Sequence, residues 1–463
     1  MRGWLKVTLG ITLLLALCWG GAVLAWRSNN YMPSTEDLVI YLLVLPLLLL
    51  AAFWLGRKMI AIMAAAPAAT LAAPAAQATP APAPDAPPLV ILGAALRAVH
   101  GGSADELAAA VADNQARADL DTELVDELGF PLMTARSSEA DDDSMKEEVN
   151  DWLAAQGLAA IRFEPEQWRA LAMGSAVVTE LCEQARYTLE PPKDKPDELP
   201  LLQLLPLLPQ DWHIDQRRAA GLWLRHTALE AGWTGAQLSL AAELPVDARG
   251  ASLLAVIARL THHAAANEGP LAAMVVACGS QIGEESINRL AAKGTLFTAA
   301  QPQGLVPGEG AAGLLLVDFA QASRIADAPV TLHTVDDARR HNSADEAKRA
   351  DSALLNTLTE KVLLRAKSGA ADVAMLVADT DHRSSRVLEL MGVSEKSLPQ
   401  LDAATDVVAL GTACGSCGAV PFMTALAMAR HYALERAAPI LCISNEDPYR
   451  RSAVLVQPAA SLS

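Results

Sequence analysis

The chain reads as two long apolar runs followed by many short ones. Residues 7 to 26, VTLGITLLLALCWGGAVLAW, hold no charged side chain, and residues 38 to 56, LVIYLLVLPLLLLAAFWLG, repeat the pattern. At about 1.5 Å of rise per helical residue, either run spans a hydrocarbon layer of about 30 Å. A signal peptide is the competing reading of the first run, but its apolar core is longer than usual and a second run follows at once. The pattern therefore predicts a hairpin of two transmembrane helices within residues 1–62. Arg2 and Lys6 precede it and Arg57 and Lys58 follow it, whereas the turn sets Arg27 against Glu36 and Asp37. That distribution of basic residues puts both ends on the cytoplasmic side.

Residues 63–87, MAAAPAATLAAPAAQATPAPAPDAP, have almost no bulky side chains. Such a stretch cannot build a core and is expected to extend as a tether. Beyond it the pattern shortens. PLVILGAAL (88–96) reads as a buried strand and SADELAAAVADNQARA (103–118) as a helix capped by Ser103. The acidic run 136–150 reads as a solvated loop, and the proline-rich stretch 191–212 as an irregular loop laid over apolar surface. From about residue 213 apolar strand runs alternate with helical patterns, as in the helix DQRRAAGLWLRHTALEAG, the strand LAAMVVACGS and the strand DVAMLVAD. Alternation of this kind predicts an α/β protein with a mainly parallel, covered sheet. Two parts, 88–330 and 331–463, each end in two successive strands, which points to a duplicated unit.

Composition narrows the function classes. A chain of 463 residues can bury a large core, and its formal net charge of −17, with no clustered Lys and Arg, excludes a nucleic-acid surface. The six cysteines sit mostly in apolar runs, which suits reduced, buried thiols rather than a disulfide framework. No cofactor-binding or metal-binding pattern emerges. The stretch VVALGTACGSCGAVPFMTALAMARH (407–431) carries Gly411, Gly415, Gly418 and the pair Cys414 and Cys417 between a strand and a helix. A redox pair would need both thiols accessible at a helix N-terminus, and that reading stays open; a metal site would need further ligands.

Two segments resemble the β-ketoacyl synthases. GLVPGEGAAGLLLVDFAQA (304–322) is similar to that family's Gly-Glu-Gly-Ala turn and apolar strand, and GTACGSCGAVPFMTALAMA to its Gly-His-x-x-Gly-x-x-Gly-Ala turn and helix. The resemblance covers roughly residues 213 to 463 and implies a thiolase-like, duplicated α-β-α layered fold. It also implies a chemistry: a Cys nucleophile, two polarising groups, usually His, and an oxyanion hole. The elbow between AQLSLAAEL and ASLLAVIARL, AAELPVDARGAS (241–252), contains no Cys. Asp379 stands at the first His position with His382 displaced by three residues, Thr412 at the second, and NEDPYRR (445–451) replaces the late glycine loop. Gly411, Gly415 and Gly418 are then expected as packing glycines, and Glu309 as a turn residue bonded to backbone rather than a base.

The remaining candidates carry less. Asp379, Asp381 and His382 could line a residual pocket with Thr412, Cys414, Cys278 and Glu309, against the simpler reading of a solvated loop. Arg450 and Arg451 read as a surface charge group beside Glu446 and Asp447. His262 and His263 read as polar ends of a helix. Ser239 and Ser280 lack a hydrolase elbow. These departures lead to the expectation of a catalytically inert condensing-enzyme scaffold, not an enzyme. The layout is similar to the lipase adapter proteins of type VI secretion systems. That similarity implies a bacterial inner-membrane protein with a cytoplasmic body, holding a secreted lipase effector or a component of the delivery spike. Two alternatives are an acyl-chain or lipid-binding sensor, and an acyltransferase built on Asp379, His382 and Thr412. Pairing of two copies is left open.

Overall fold

The computed structural model describes residues 87–126, 129–138, 140, 143–189, 201–240, 253–266, 271–322, 329–346 and 349–459. The hairpin expected within 1–62, the tether and the elbow segment 241–252 lie outside the described residues. Among the described residues no helix is long and apolar enough to cross a membrane.

The first part of the body contains β1 (Leu89–Arg97), α1 (Ala104–Ala112), the pair β2 (Asp119–Val125) and β3 (Pro131–Thr134), α2 (Asp143–Ala155) and α3 (Pro165–Thr188). It continues through β4 (Leu202–Leu207), α4 (Ile214–Glu230), β5 (Leu238–Leu240), α5 (Leu253–Ala265), β6 (Ala272–Ser280), α6 (Glu284–Ala292), β7 (Glu309–Asp318) and the single turn α7 (Phe319–Ala322). The second part runs β8 (Val330–Leu332), β9 (Asp336–Arg339), α8 (Ala353–Ala366), β10 (Met375–Ala378), α9 (Ser384–Ser397) and β11 (Val407–Ala409). It closes with α10 (Gly411–Cys414), α11 (Val420–Arg436), β12 (Ile440–Ser444) and β13 (Arg450–Pro458).

Two half-sheets repeat one topology. The first is ordered β5-β4-β6-β7-β1 and the second β11-β10-β12-β13-β8. In both, the first three listed strands run parallel and the last two pairings are antiparallel. The halves join into one sheet where β1 pairs antiparallel with β8, Leu89 opposite Leu332. The sheet is thus mixed rather than mainly parallel, because β6 and β12 each hand the chain directly to an antiparallel neighbour.

Period-two side-chain alternation divides the core into layers. Leu89 and Ile91 of β1 and Ile440 and Cys442 of β12 enter one cluster with α5 and α11, a helical layer covered by both half-sheets. Val90 and Leu92 face the other way, onto α3 and α4, and Leu441 and Ile443 pack with α8 and α9. The result is five layers, helix-sheet-helix-sheet-helix. Helix α11 is buried nearly all round, as a middle-layer helix must be. Its Arg430 donates to the carbonyls of Ile91 and Leu92, where the register of β1 shifts and leaves acceptors unpaired.

Three regions differ from expectation. The proline-rich stretch contains the inner strand β4. Leu202 N–H donates to Gln237 O toward β5, and alternation turns the nitrogen of Pro206 to that same edge, beyond the Leu202–Leu204 positions that pair with β5. Among the described residues Pro206 therefore breaks no paired ladder position on that edge. The acidic run is helical from Asp143, because Val149 and Leu153 bury one stripe. The long helix α3 buries Met173, Val177, Leu181 and Cys182 against the first half-sheet, where no element was foreseen.

Candidate functional site

The two segments that carried the family resemblance meet. Gly308 N–H donates to Ser416 O at 3.1 Å and Ser416 N–H to Val306 O at 2.7 Å, which clamps the turn before β7 to the loop after α10. Gly308 must lack a Cβ, since one would overlap the carbonyl oxygen of Cys414. Ala135, after β3, closes the other side by donating to Pro307 O at 2.8 Å and accepting from Glu309 N–H at 3.2 Å.

Glu309 is completely buried at this junction. Its carboxylate accepts from Ser137 N–H at 2.7 Å, from Ser280 Oγ at 2.9 Å, and from Arg169 Nε at 2.9 Å and Nη2 at 2.5 Å. Every acceptor lobe is thereby occupied, so the residue ties β6, β7, α3 and the Ser137 loop together. The backbone bond is made not within the turn, as expected, but to Ser137 N–H, 172 positions away, and the Arg169 ion pair had no signal in the sequence, because 140 positions separate the partners.

The second group lies at the carboxyl ends of β10, β11 and β12, where α/β sheets place their ligands. Asp379 ends β10 and is 4% exposed. Its carboxylate accepts from Ser444 Oγ at 2.5 Å and from Asn445 N–H at 2.9 Å. Asn445 is locked in turn, accepting from Thr380 Oγ1 at 2.7 Å and donating to Arg386 O at 3.0 Å. Gly411 lies so close that a Cβ there would overlap Asp379 O, and a Cβ on Gly415 would stand 2.9 Å from Gly308 Cα and Val306 O, so both are packing glycines; Gly418, at a φ of +70° with open space beside it, serves the turn itself. Thr412 follows, but its hydroxyl donates to Ala409 O at 2.7 Å, within its own turn. The ring of His382 meets Phe297 edge-on at 5.0 Å, and its buried Nε2 makes no hydrogen bond. The structure therefore gathers Asp379, Thr412, Ser444 and Asn445, and sets His382 aside under the Phe297 loop.

The thiols are placed elsewhere. Cys278 faces outward from β6 into the α3 layer, its Sγ 2.9 Å from where a Cβ of Gly174 would stand. Cys414 and Cys417 are buried and unbridged at the start of α11, with Cys417 Sγ directed at Cys414 O. Burial pushes Cys278 and Cys414 up to about 12 and raises Cys417 as well. Thiols held so far from ionisation are poor nucleophiles at neutral pH. The accessibility that a redox pair requires is not met, since both are at most 2% exposed. Among the described residues no group of three or more His, Cys, Asp or Glu is placed to hold a metal ion.

Two readings need correction. Asp379 and Asp381 do not lie on a solvated loop, and Arg451 is not part of a surface charge group; all three are buried. Arg451 meets Glu389 through Nε at 2.9 and 2.8 Å, and Arg340 shares that carboxylate at 2.7 Å. Arg383 pairs with Asp381, Asp345 and Glu446, and Arg386 with Asp345. The sequence concealed this because the charges lie on α9, β13 and three separate loops that only the fold brings together.

Burial pushes the Asp379 carboxyl up to about 6, against the pull of its Ser444 and Asn445 donors. Burial and the neighbouring Asp381 raise Glu446 too, with Arg383 opposing. A carboxyl whose folded pKa exceeds its unfolded value near 3.8 favours the fold at low pH, and that contribution is lost as pH rises through about 6. The melting temperature of the wild type should therefore fall across about pH 4 to 6 more steeply than that of Asp379→Asn. Superimposable profiles would contradict the assignment.

No protein-family model and no curated protein sequence matches this chain. Solved structures do. The ketosynthase from module 6 of the bacillaene synthase of Bacillus subtilis 168 has a TM-score of 0.53 at 12% identity, over 80% of this chain and 72% of that one. An oxazolomycin ketosynthase domain of Streptomyces albus gives 0.52 at 12%, over 81% and 75%. The module 1 bacillaene ketosynthase of Bacillus amyloliquefaciens FZB42 gives 0.50 at 12%, over 80% and 72%. The chain has the thiolase-like fold of the ketosynthases.

Proposed function

We propose that this chain is a non-catalytic, membrane-anchored adapter whose ketosynthase-like body presents a preformed surface to another protein. One observation carries the reading: both polarising positions are occupied by groups committed to the scaffold. Asp379 is held by Ser444 and Asn445, and Thr412 by Ala409. The five described thiols are buried as well. In a site that acts as a unit, loss of a single member costs roughly 10³-fold or more in rate. A rigid body of this size binds without an ordering cost. The apolar runs 7–26 and 38–56 support the membrane hairpin. The layout shared with lipase adapters of type VI secretion supports a lipase effector or spike component as partner, at a bacterial inner membrane.

The test is turnover. Full-length protein in neutral detergent, incubated with acyl thioesters, is expected to release no product above the uncatalysed rate. Turnover that disappears in Asp379→Ala would overturn the adapter reading. It would favour the second, acyl transfer by a non-standard site, whose support is the buried Asp379 carboxyl poised at about 6.

A further inference from the structure

We propose that a groove between the end of β9 and the start of α8 is a binding site for a phosphate-bearing ligand. The groove has a volume of about 510 Å³ and is lined by Arg339, Arg340, His341, Asn342, Asp351 and Leu354, among others. That volume exceeds what one oxyanion fills and lies within the range of small-molecule sites.

The lining has uncommitted donors. The Arg339 guanidinium stacks over the ring of Tyr449 at 5.2 Å, is exposed, and meets no carboxylate among the described residues. His341 and Asn342 are exposed, and neither is engaged in a hydrogen bond or ion pair among the described residues. Arg340 forms the floor, bonded to Glu389 Oε1 at 2.7 Å and to Asp351 O at 3.3 Å. Glu389 is already engaged by Arg451, so two guanidinium groups share one buried carboxylate and a positive charge is left over. The opposing acid of the lining, Asp351, has one oxygen occupied by the N–H of Ala353 at 3.0 Å. In a chain of net charge −17, this is a local reversal of sign. Planar guanidinium donors with an imidazole and an amide beside them match a phosphate group in charge and hydrogen-bond number. Leu354 and Ala353 supply an apolar wall for the ligand's organic part.

Two sources share this chemistry, a soluble phosphate ester and a phospholipid headgroup, and the experiment separates them. Full-length protein in neutral detergent is titrated by calorimetry with inorganic phosphate, glycerol 3-phosphate and short-chain phosphatidylglycerol. Saturable binding is expected, weakened roughly tenfold by Arg339→Ala and in part restored by Arg339→Lys, since each lost charge-assisted contact is worth that much. Because Arg339 is exposed, Arg339→Ala should melt with the wild type, and Asn342→Ala provides a second, independent weakening. Preference for the first two ligands assigns a soluble source, and preference for the third assigns the headgroup. Absence of saturable binding by all three, or binding indifferent to both Arg339→Ala and Asn342→Ala, overturns the site.

Discussion

Glu309→Ala is expected to destabilise the body by about 3–5 kcal/mol, the usual consequence of leaving one partner of a buried ion pair alone. The substitution removes the carboxylate that the Arg169 guanidinium engages through Nε and Nη2, and with it the acceptor of Ser137 N–H and Ser280 Oγ. Glu309→Gln keeps an acceptor for Ser137 but not the opposite charge, so it should fall between wild type and Glu309→Ala. Denaturant midpoints at constant slope would read both changes. A cost for Glu309→Ala below about 1 kcal/mol, the worth of an ordinary exposed pair, would return Glu309 to the list of reactive groups.

Gly308→Ala should be nearly as damaging, for a steric rather than an electrostatic reason. The added methyl would overlap the Cys414 carbonyl oxygen, and the alpha carbon of Gly415 lies 2.8 Å away. Both obstacles are backbone, so no side-chain rotation relieves them. Overpacking of a filled core costs about 1–3 kcal/mol, and a contact that cannot yield belongs at or above the upper end. The clamp formed by Gly308 N–H and Ser416 N–H should open, and amide hydrogen exchange at Ser416 should accelerate while the amides of β12 stay protected. If thermal stability and that exchange are both unchanged, the junction is looser than its geometry indicates.

Much of the fold was legible because the strand runs are buried on both faces. AAMVVACGS and ILCIS have no hydroxyl, amide or charged side chain before their final serines, and Ser103 announces α1 by accepting from Glu106 N–H. What escaped did so for identifiable reasons. Pro206 made β4 look irregular, since nothing local reveals that its nitrogen lies beyond the described β4–β5 pairs. Helix α3 mixes Glu166, Gln167 and Arg169 with its apolar stripe, and the two charged groups find partners in distant segments, as Glu166 does at Ser286 and Arg169 at Glu309. The candidate site was half legible. The positions of Asp379 and Thr412 followed from the order of segments, but Ser444, which ends β12, and Asn445, which follows it, immobilise Asp379 and could be identified only once β10 and β12 were adjacent. Arg451 misled for the same reason. Beside Glu446 and Asp447 in the chain it looked solvated, whereas its partner Glu389 is 62 positions away.

The middle layer has a consequence for how the molecule fails. Before its exposed last turn, helix α11 has almost no outer surface of its own; it packs against strands of both half-sheets, with α5 in the same apolar cluster. Each repeat keeps an outer cluster of its own, but the middle cluster is common to both, and detaching one repeat strips the apolar cover from that layer of its twin. Unfolding becomes an all-or-none event across both repeats, so that damage in the C-terminal repeat is felt at once in the N-terminal one.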